Sequence, residues 1–441
     1  QTCGFEKNIE LILVNDGSPD NCDAICCDYK KRYPNNIIYI KQENQGLSAA
    51  RNSALEVASC DYIAFLDSDD KFAKNYIECG LRFFEKYGDD FVSFPLYLFE
   101  NVTSHDHILN RKFTETRIID IDEEHKSIQA HIASTLIRRE AIINKRFNTK
   151  LTYAEDGEML HRILLDKRKY GVCVESRLYY RKRWKGNSAI QVCNKKVGWY
   201  EKLLVLPKLL IEQDLNEYGR VTEYTQFQIV YDTQWYKLNN ISNTIKEQIN
   251  INLLHDELEW IMQYIDDDII KAATHMNYWH KYYLRKIKYK MDATLKVGPD
   301  DVPAFYFGEN FFQNICPGIW VSLIEECNGS INIGGYYTFS SYEGLSLIAK
   351  YCGMTYTAKT FHQKQRDIYF LGKPVLESKS FILNIPYTDD GEIEFQIHSS
   401  EYGDFPTKLE TCYSSRLRKH EGAFVLGDNS IIRRTDSKNI L

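Results

Sequence analysis

Residues 1 to about 185 alternate short apolar, β-rich runs with stretches of helical spacing, the rhythm of a parallel α/β sheet. Ile9-Glu10-Leu11-Ile12-Leu13-Val14 reads as one strand and Ile37-Ile38-Tyr39-Ile40 as a second. Tyr62-Ile63-Ala64-Phe65-Leu66 makes a third and Phe91-Val92-Ser93-Phe94 a fourth. Between the second and third, Leu47, Ala50, Ala54 and Val57 recur at helical spacing, with Ser48 as the expected N-cap. Open sheets of this class bind ligands at the carboxyl ends of their strands. Two acidic stretches, Asn15-Asp16-Gly17-Ser18-Pro19-Asp20 and Asp67-Ser68-Asp69-Asp70, directly follow such ends. Carboxylates crowded this closely are costly unless a cation or hydrogen-bond donors compensate them.

From about 195 to 290 the pattern turns to long helical stretches, with Pro207 expected to kink or divide one of them. The basic-aromatic run 280–290 reads as a solvated helix face; its other reading is contact with an anionic membrane face or a phosphate-bearing acceptor. Lys296-Val297-Gly298-Pro299-Asp300-Asp301-Val302-Pro303 then reads as a linker. Beyond it period-two strands dominate, as where Ile393, Phe395 and Ile397 alternate with polar residues, and predict a β-sandwich. The expected domains are therefore 1–190, 191–295 and 296–441.

Length agrees, since 441 residues exceed what one hydrophobic core supports. A formal net charge of −6 gives no global signature of nucleic-acid binding, and no run of apolar residues is long enough to span a membrane. Cys22, Cys26 and Cys27 lack a second cluster to complete a zinc site, so the twelve cysteines are expected to be reduced thiols of a cytoplasmic protein, at the inner face of the membrane if the basic run meets lipid. Gln1 is not a natural start, so a preceding segment is expected.

Six segments then occur in register: Glu10-Leu11-Ile12-Leu13-Val14-Asn15-Asp16-Gly17-Ser18, the stretch 43–56, Tyr62 to Asp70, Ser134 to Ile142, Tyr153-Ala154-Glu155-Asp156-Gly157, and Tyr179 to Ala189. Together they resemble family 2 glycosyltransferases with the GT-A (Rossmann-like) fold, of the kind that builds bacterial surface polysaccharides. The resemblance implies an inverting, metal-dependent transfer of a sugar from a nucleotide-diphosphate donor, with uracil as its base, to a hydroxyl of a glycan, teichoic-type polymer or protein. It implies Asp156 as general base, with Asp16, Gly46, Arg51, Asp67, Asp69, Glu155, Arg181 and Arg183 around the nucleotide-sugar. Asp69 and Asp67 form the D-x-D that would hold Mn²⁺ or Mg²⁺, since such ions take oxygen ligands and leave positions for phosphates. The family's leading strand, ending in a Pro-x-Tyr-Asn-like stretch, is absent from these residues.

Other readings stay open. Residues 181–184 resemble in part the Gln-x-x-Arg-Trp of membrane-embedded synthases, but Tyr180 stands where the Gln belongs, which rejects that class. A GT-A domain kept as an inactive carbohydrate-binding or scaffolding protein is the first alternative. A sugar nucleotidylyltransferase is the second, and it lacks its Gly-rich, Arg-containing loop here. The C-terminal region is expected to bind acceptor or to form a homo-oligomer, and His161 is expected on a helix surface or in packing.

Overall fold

A computed structural model describes residues 1–441 except 101–103, 152, 183–195, 237–244, 246, 277, 300–302, 315–317, 338–343, 363–366, 377, 387–390, 412–422, 427–429 and 435–441. The described residues from Gln1 to His275 form one compact unit and those from Met276 onward a second. The helical stretch is thus divided between them.

In the first unit, strand β1 (Leu11–Asp16) lies parallel to β2 (Ile37–Gln42), in register from Leu11 opposite Ile37 to Asp16 opposite Gln42. The next strands are β3 (Tyr62–Ile63), β4 (Lys71–Phe72), β5 (Phe91–Ser93), β6 (Leu96–Glu100), β7 (Arg117–Asp120), β8 (Thr135–Arg138), β9 (Lys169–Val172) and β10 (Leu178–Lys182). A five-stranded sheet runs β3-β8-β5-β9-β7 and a small three-stranded one runs β4-β10-β6. The larger sheet is mixed rather than all-parallel, because β8 is antiparallel to β3 and β5, and β7 antiparallel to β9. Hydrophobic periodicity reports burial of a strand, not its direction, so the pattern does not distinguish the two.

The first-unit helices are α1 (Phe5–Asn8), α2 (Cys22–Arg32), α3 (Leu47–Val57), α4 (Tyr76–Tyr87), α5 (Arg139–Ile142) and α6 (Glu155–Lys167). Gly46, not Ser48, occupies the N-cap of α3; Ser48 is buried inside the first turn. Helix α6 buries Met159, Leu160, Ile163 and Leu164, each contributing about 1.5–3 kcal/mol of hydrophobic stabilisation. Its other side is held by His161, 2% exposed, whose Nδ1 lies 2.9 Å from Gln213 and Nε2 2.9 Å from Thr225 and 3.1 Å from Asp214. His161 is therefore a satisfied packing residue that latches α6 to the helices Val205–Tyr218 and Glu223–Asp232. Pro207 sits in the first turn of the former, where its missing N–H costs nothing, and the break from Val197–Glu201 falls just ahead of it. Cys3, Cys22, Cys26, Cys27, Cys60, Cys79, Cys173 and Cys352 are free thiols.

The second unit is the expected sandwich. One sheet centres on Ser330–Tyr337 and Lys379–Pro386, the other on Leu345–Tyr351 and Glu392–Ser399. Ile331, Ile333, Phe381 and Leu383 meet Leu347, Ile393, Phe395 and Ile397 in one core. The helix Tyr278–Tyr289 joins that core through Trp279 and Tyr282, and its Arg285 is buried with the guanidinium 4.7 Å from the Phe312 ring. Half of the basic-aromatic run is thus packed rather than solvated.

Candidate active site

The carboxyl end of β1 delivers Asp16 into a loop that its own carboxylate organises. Asp16 Oδ1 accepts from Gln42 Nε2 at 2.8 Å and from the Gln45 N–H at 3.0 Å, and Oδ2 accepts from the Gly46 N–H at 2.8 Å. Gly17 adopts φ +71°, and a Cβ there would lie 2.9 Å from the Asn44 nitrogen, so the turn needs glycine twice over. Gly46, at φ +89°, then starts α3, and one turn on lies Arg51.

Arg51 is 6% exposed and holds three carboxylates at once. Its Nη2 reaches Asp67 Oδ1 at 3.1 Å, while Nη1 reaches Glu155 Oε1 at 3.0 Å and also bonds Asp156 Oδ1. Burial pulls the guanidinium's pKa down, but Asp156, Asp67 and Glu155 outweigh it and the net shift is upward. A planar fork with several donors is the side chain that can do this. Sequence motifs separated by 16 and 105 positions thereby share one cation.

Asp156 is further fixed by the Ile132 N–H, which donates to Oδ2 at 3.1 Å. The residue ahead of the pair, Ala154, has φ +58°, a left-handed conformation costing about 1–2 kcal/mol for a side chain, and it presents Glu155 and Asp156 at the start of α6. Burial pushes Glu155 up to about 7, with Asp156 adding to the shift and Arg51 opposing it.

In the loop after β3, Asp67 and Asp69 are half-buried and Asp70 is buried. Asp70 Oδ1 accepts the Arg181 N–H at 2.9 Å, and its Oδ2 is buried without a hydrogen-bond partner. Burial pushes Asp70 up to about 7, against the Arg181 donor and helped by Asp67 and Asp69.

Residues 2–147 match the family model for "Glycosyl transferase family 2". The minor teichoic acid biosynthesis protein GgaA of Bacillus subtilis is 32% identical over 303 residues, covering 66% of this chain and 68% of GgaA. The chain belongs to glycosyltransferase family 2. The minor teichoic acid biosynthesis protein GgaB of the same organism is 33% identical over 410 residues, 90% of this chain, which spans only 45% of GgaB. The crystal structure of S. aureus TarS superposes with a TM-score of 0.51 at 13% identity, covering 97% of this chain and 79% of TarS. That likeness extends the shared fold past the family 2 domain into the sheet-rich C-terminal region.

Beyond the matched residues, strand parity decides which residues of β10 reach the acidic loop. Successive side chains point to opposite faces. Tyr180 and Lys182 share one face, Lys182 Nζ lying 4.5 Å from the Tyr180 ring centre. Arg181 takes the other face and its guanidinium pairs with Glu100 at 2.8 Å, while its backbone N–H donates to Asp70 in the acidic loop. Arg183 lies outside the described residues. Tyr180 is pushed up to about 12 by burial and by Asp70, Asp67 and Asp69. Burial pulls Lys182 down, with Asp70 opposing.

His131 completes this wall. Its ring meets Tyr180 edge-on at 5.3 Å and its Nδ1 is buried without a hydrogen-bond partner. Burial pulls it down, against the carboxylates of Asp156 and Asp67. Sequence reasoning placed Tyr180 in the closing segment with Arg181 and Arg183, and gave Lys182 and His131 no place beside the acidic loop. The alternation along Leu178 to Lys182 carried a signal for Tyr180 and Lys182 once β10 was recognised as a strand; a lone histidine in a loop carried none.

Among the described residues no group of three or more His, Cys, Asp or Glu side chains closes around a point that could hold a metal ion. The loop instead offers an all-oxygen set of few carboxylates, and the orphaned Asp70 Oδ2 leaves an acceptor beside it. That donor set fits a hard divalent cation that takes one or two carboxylates and completes its shell with phosphates and water.

Proposed function

We propose that this family 2 protein transfers a sugar from a uridine-diphosphate donor to a hydroxyl of a surface glycan or teichoic-type polymer, inverting the anomeric centre. One observation carries the reading: Arg51 ties the D-x-D carboxylate Asp67 and the acidic pair Glu155–Asp156 into a single site at the strand ends. A cation that neutralises the donor's diphosphate needs a carboxylate to hold it, and the acceptor's hydroxyl needs a second as base, so the two groups must stand side by side.

Asp156 is the general base. Two of its acceptor positions are held by Arg51 and the Ile132 N–H, which aim the carboxylate while leaving lone pairs for the acceptor's proton. Asp16 uses three acceptor positions on Gln42 at the end of β2 and on Gln45 and Gly46 ahead of α3, and keeps one for the base's ring N–H. Gly46 brings the backbone close to the nucleotide. Asp69 and Asp67 would hold Mn²⁺ or Mg²⁺, which when bound stabilises the charge of the departing diphosphate. Lys182, on the face shared with Tyr180, supplies a further cation toward those phosphates.

The relatives support this reading: GgaA and GgaB are minor teichoic acid biosynthesis proteins, and TarS residues 1–349 were crystallised with UDP-GlcNAc. The test is calorimetric titration of UDP, GDP, CDP and dTDP with Mn²⁺, repeated with EDTA and with Asp69→Ala. Metal-dependent binding of UDP, lost in Asp69→Ala, is expected. Asp156→Asn should then keep nucleotide binding and lose transfer; loss of both together would remove Asp156 from the role of base.

A further inference from the structure

The face of the β4-β10-β6 sheet that turns away from Tyr180 and Lys182 is unlike an ordinary solvated surface. Register places Tyr97 beside Tyr179, and Phe99 beside Arg181, on that face. Tyr97 and Tyr179 meet edge-on at 5.5 Å, the Arg177 guanidinium lies 5.7 Å from the Tyr97 ring, and Lys71 Nζ lies 5.3 Å from the Phe99 ring. All three aromatics are partly exposed. A cavity of about 650 Å³ opens alongside, lined by Lys71, Lys74, Arg177, Phe72 and Tyr179.

Its charge is unbalanced. Lys71, Lys74 and Arg177 are exposed and none pairs with a carboxylate among the described residues. The lining's carboxylate, Glu175, turns its Oε2 to Thr116 at 2.6 Å and Cys173 at 2.9 Å instead. The floor is rigid, since Asn75 donates to the Glu175 carbonyl and accepts from Ser176. Three cations interleaved with three aromatic rings suit a ligand that alternates anionic groups with sugar or polyol units. Rings cover the apolar faces of such units and cations meet the phosphates.

We infer that this face is a binding surface for a phosphodiester-linked polymer, the already built part of the acceptor, separate from the site where the sugar is transferred. A free phosphate would need only one or two of these cations and none of the rings. The surface and the active site are the two faces of one strand, β10: Tyr179, with Arg177 just ahead of the strand, belongs to the first, and Tyr180 and Lys182 to the second. A polymer that turns over the sheet's edge reaches both. The inference rests on the glycosyl-transfer reading only for calling the polymer an acceptor.

The test is fluorescence anisotropy of the full chain with a labelled oligo(glycerol phosphate) of about ten repeats, at low and at moderate salt, without nucleotide or metal. An uncharged dextran oligomer and phosphatidylglycerol vesicles run as parallel probes. Binding of the charged oligomer that weakens with salt is expected, and combined Lys71→Gln, Lys74→Gln and Arg177→Gln should weaken it about tenfold. UDP binding should be unchanged in that variant. Should the triple variant melt early, Lys74→Glu alone, at a side chain that makes no hydrogen bond among the described residues, carries the same comparison. Unaltered oligomer affinity, equal binding of dextran, or binding to vesicles in place of the oligomer would overturn the inference. Because the nucleotide titration is separate, failure of UDP to bind would strike the transfer reading while leaving the polymer result legible.

Discussion

With Arg51 replaced by alanine, Asp67, Glu155 and Asp156 face one another without a cation in a site where Arg51 is 6% exposed. Breaking a buried ion pair from one side costs about 3–5 kcal/mol. Urea unfolding of Arg51→Ala should show a loss of that size in the first unit, and adding Asp67→Asn should return part of it, a coupling that a double-mutant cycle reads directly. Arg51→Lys should recover little, because one ammonium cannot fork to three partners. Titration gives a second check. Burial, with His131 and Lys182 adding repulsion, pulls His107 down to about 4 from an unfolded value of 6.5. The neutral form is the folded one, so its contribution is whole above pH 6.5 and is lost as pH falls from there towards 4. Between pH 7 and pH 5 the chain should lose about 1–2 kcal/mol through this residue. His107→Asn, which can still accept from the Leu109 N–H, should flatten that part of the pH profile in urea unfolding.

At the scale of elements, the turn after β1 and the start of α3 are one device, sewn together by Asp16. The two glycines in it fail differently. Gly17→Ala meets both strain and the Asn44 backbone at 2.9 Å, whereas Gly46→Ala meets open space and strain alone. Gly46→Ala should cost about 1 kcal/mol of stability, and Gly17→Ala more. UDP titration should show the larger loss of affinity in Gly17→Ala. Much of this level was legible beforehand. The strand ends at Asp16 and the D-x-D loop could be found because apolar runs stop where acidic residues begin, and that is a local property. The Arg51 hub could not, since its partners lie far along the chain and only the folded sheet brings them together. Nor could the pairing of Arg181 with Glu100, because a run of Tyr, Arg and Lys does not say which face of the strand is which until its register with β6 is known. The sandwich strands were readable for the opposite reason: period-two alternation is itself the record of one buried face.

For the whole molecule, the division near residue 275 separates a unit that carries every candidate site residue from one that carries none of them. A chain cut after residue 275 should stay soluble and keep nucleotide affinity within about twofold of the parent, as calorimetry can check. A chain cut after residue 295, where the helical pattern alone ends, should aggregate instead. It would retain the helix Tyr278–Tyr289 without the strands that cover Trp279 and Tyr282.

That same helix has a consequence in time. Its ring partners Phe305 and Phe312 follow within a few tens of residues, but Phe370, which packs on His280 and Tyr283, is made 90 residues after His280. At synthesis rates of about 5–20 residues per second, the helix waits roughly 5–18 s for Phe370 to leave the ribosome. During that interval the first unit is complete and the helix is a sticky, basic-aromatic segment beside it. The cationic side chains of Tyr278–Tyr289 should limit self-association of the nascent chain by charge repulsion during that interval.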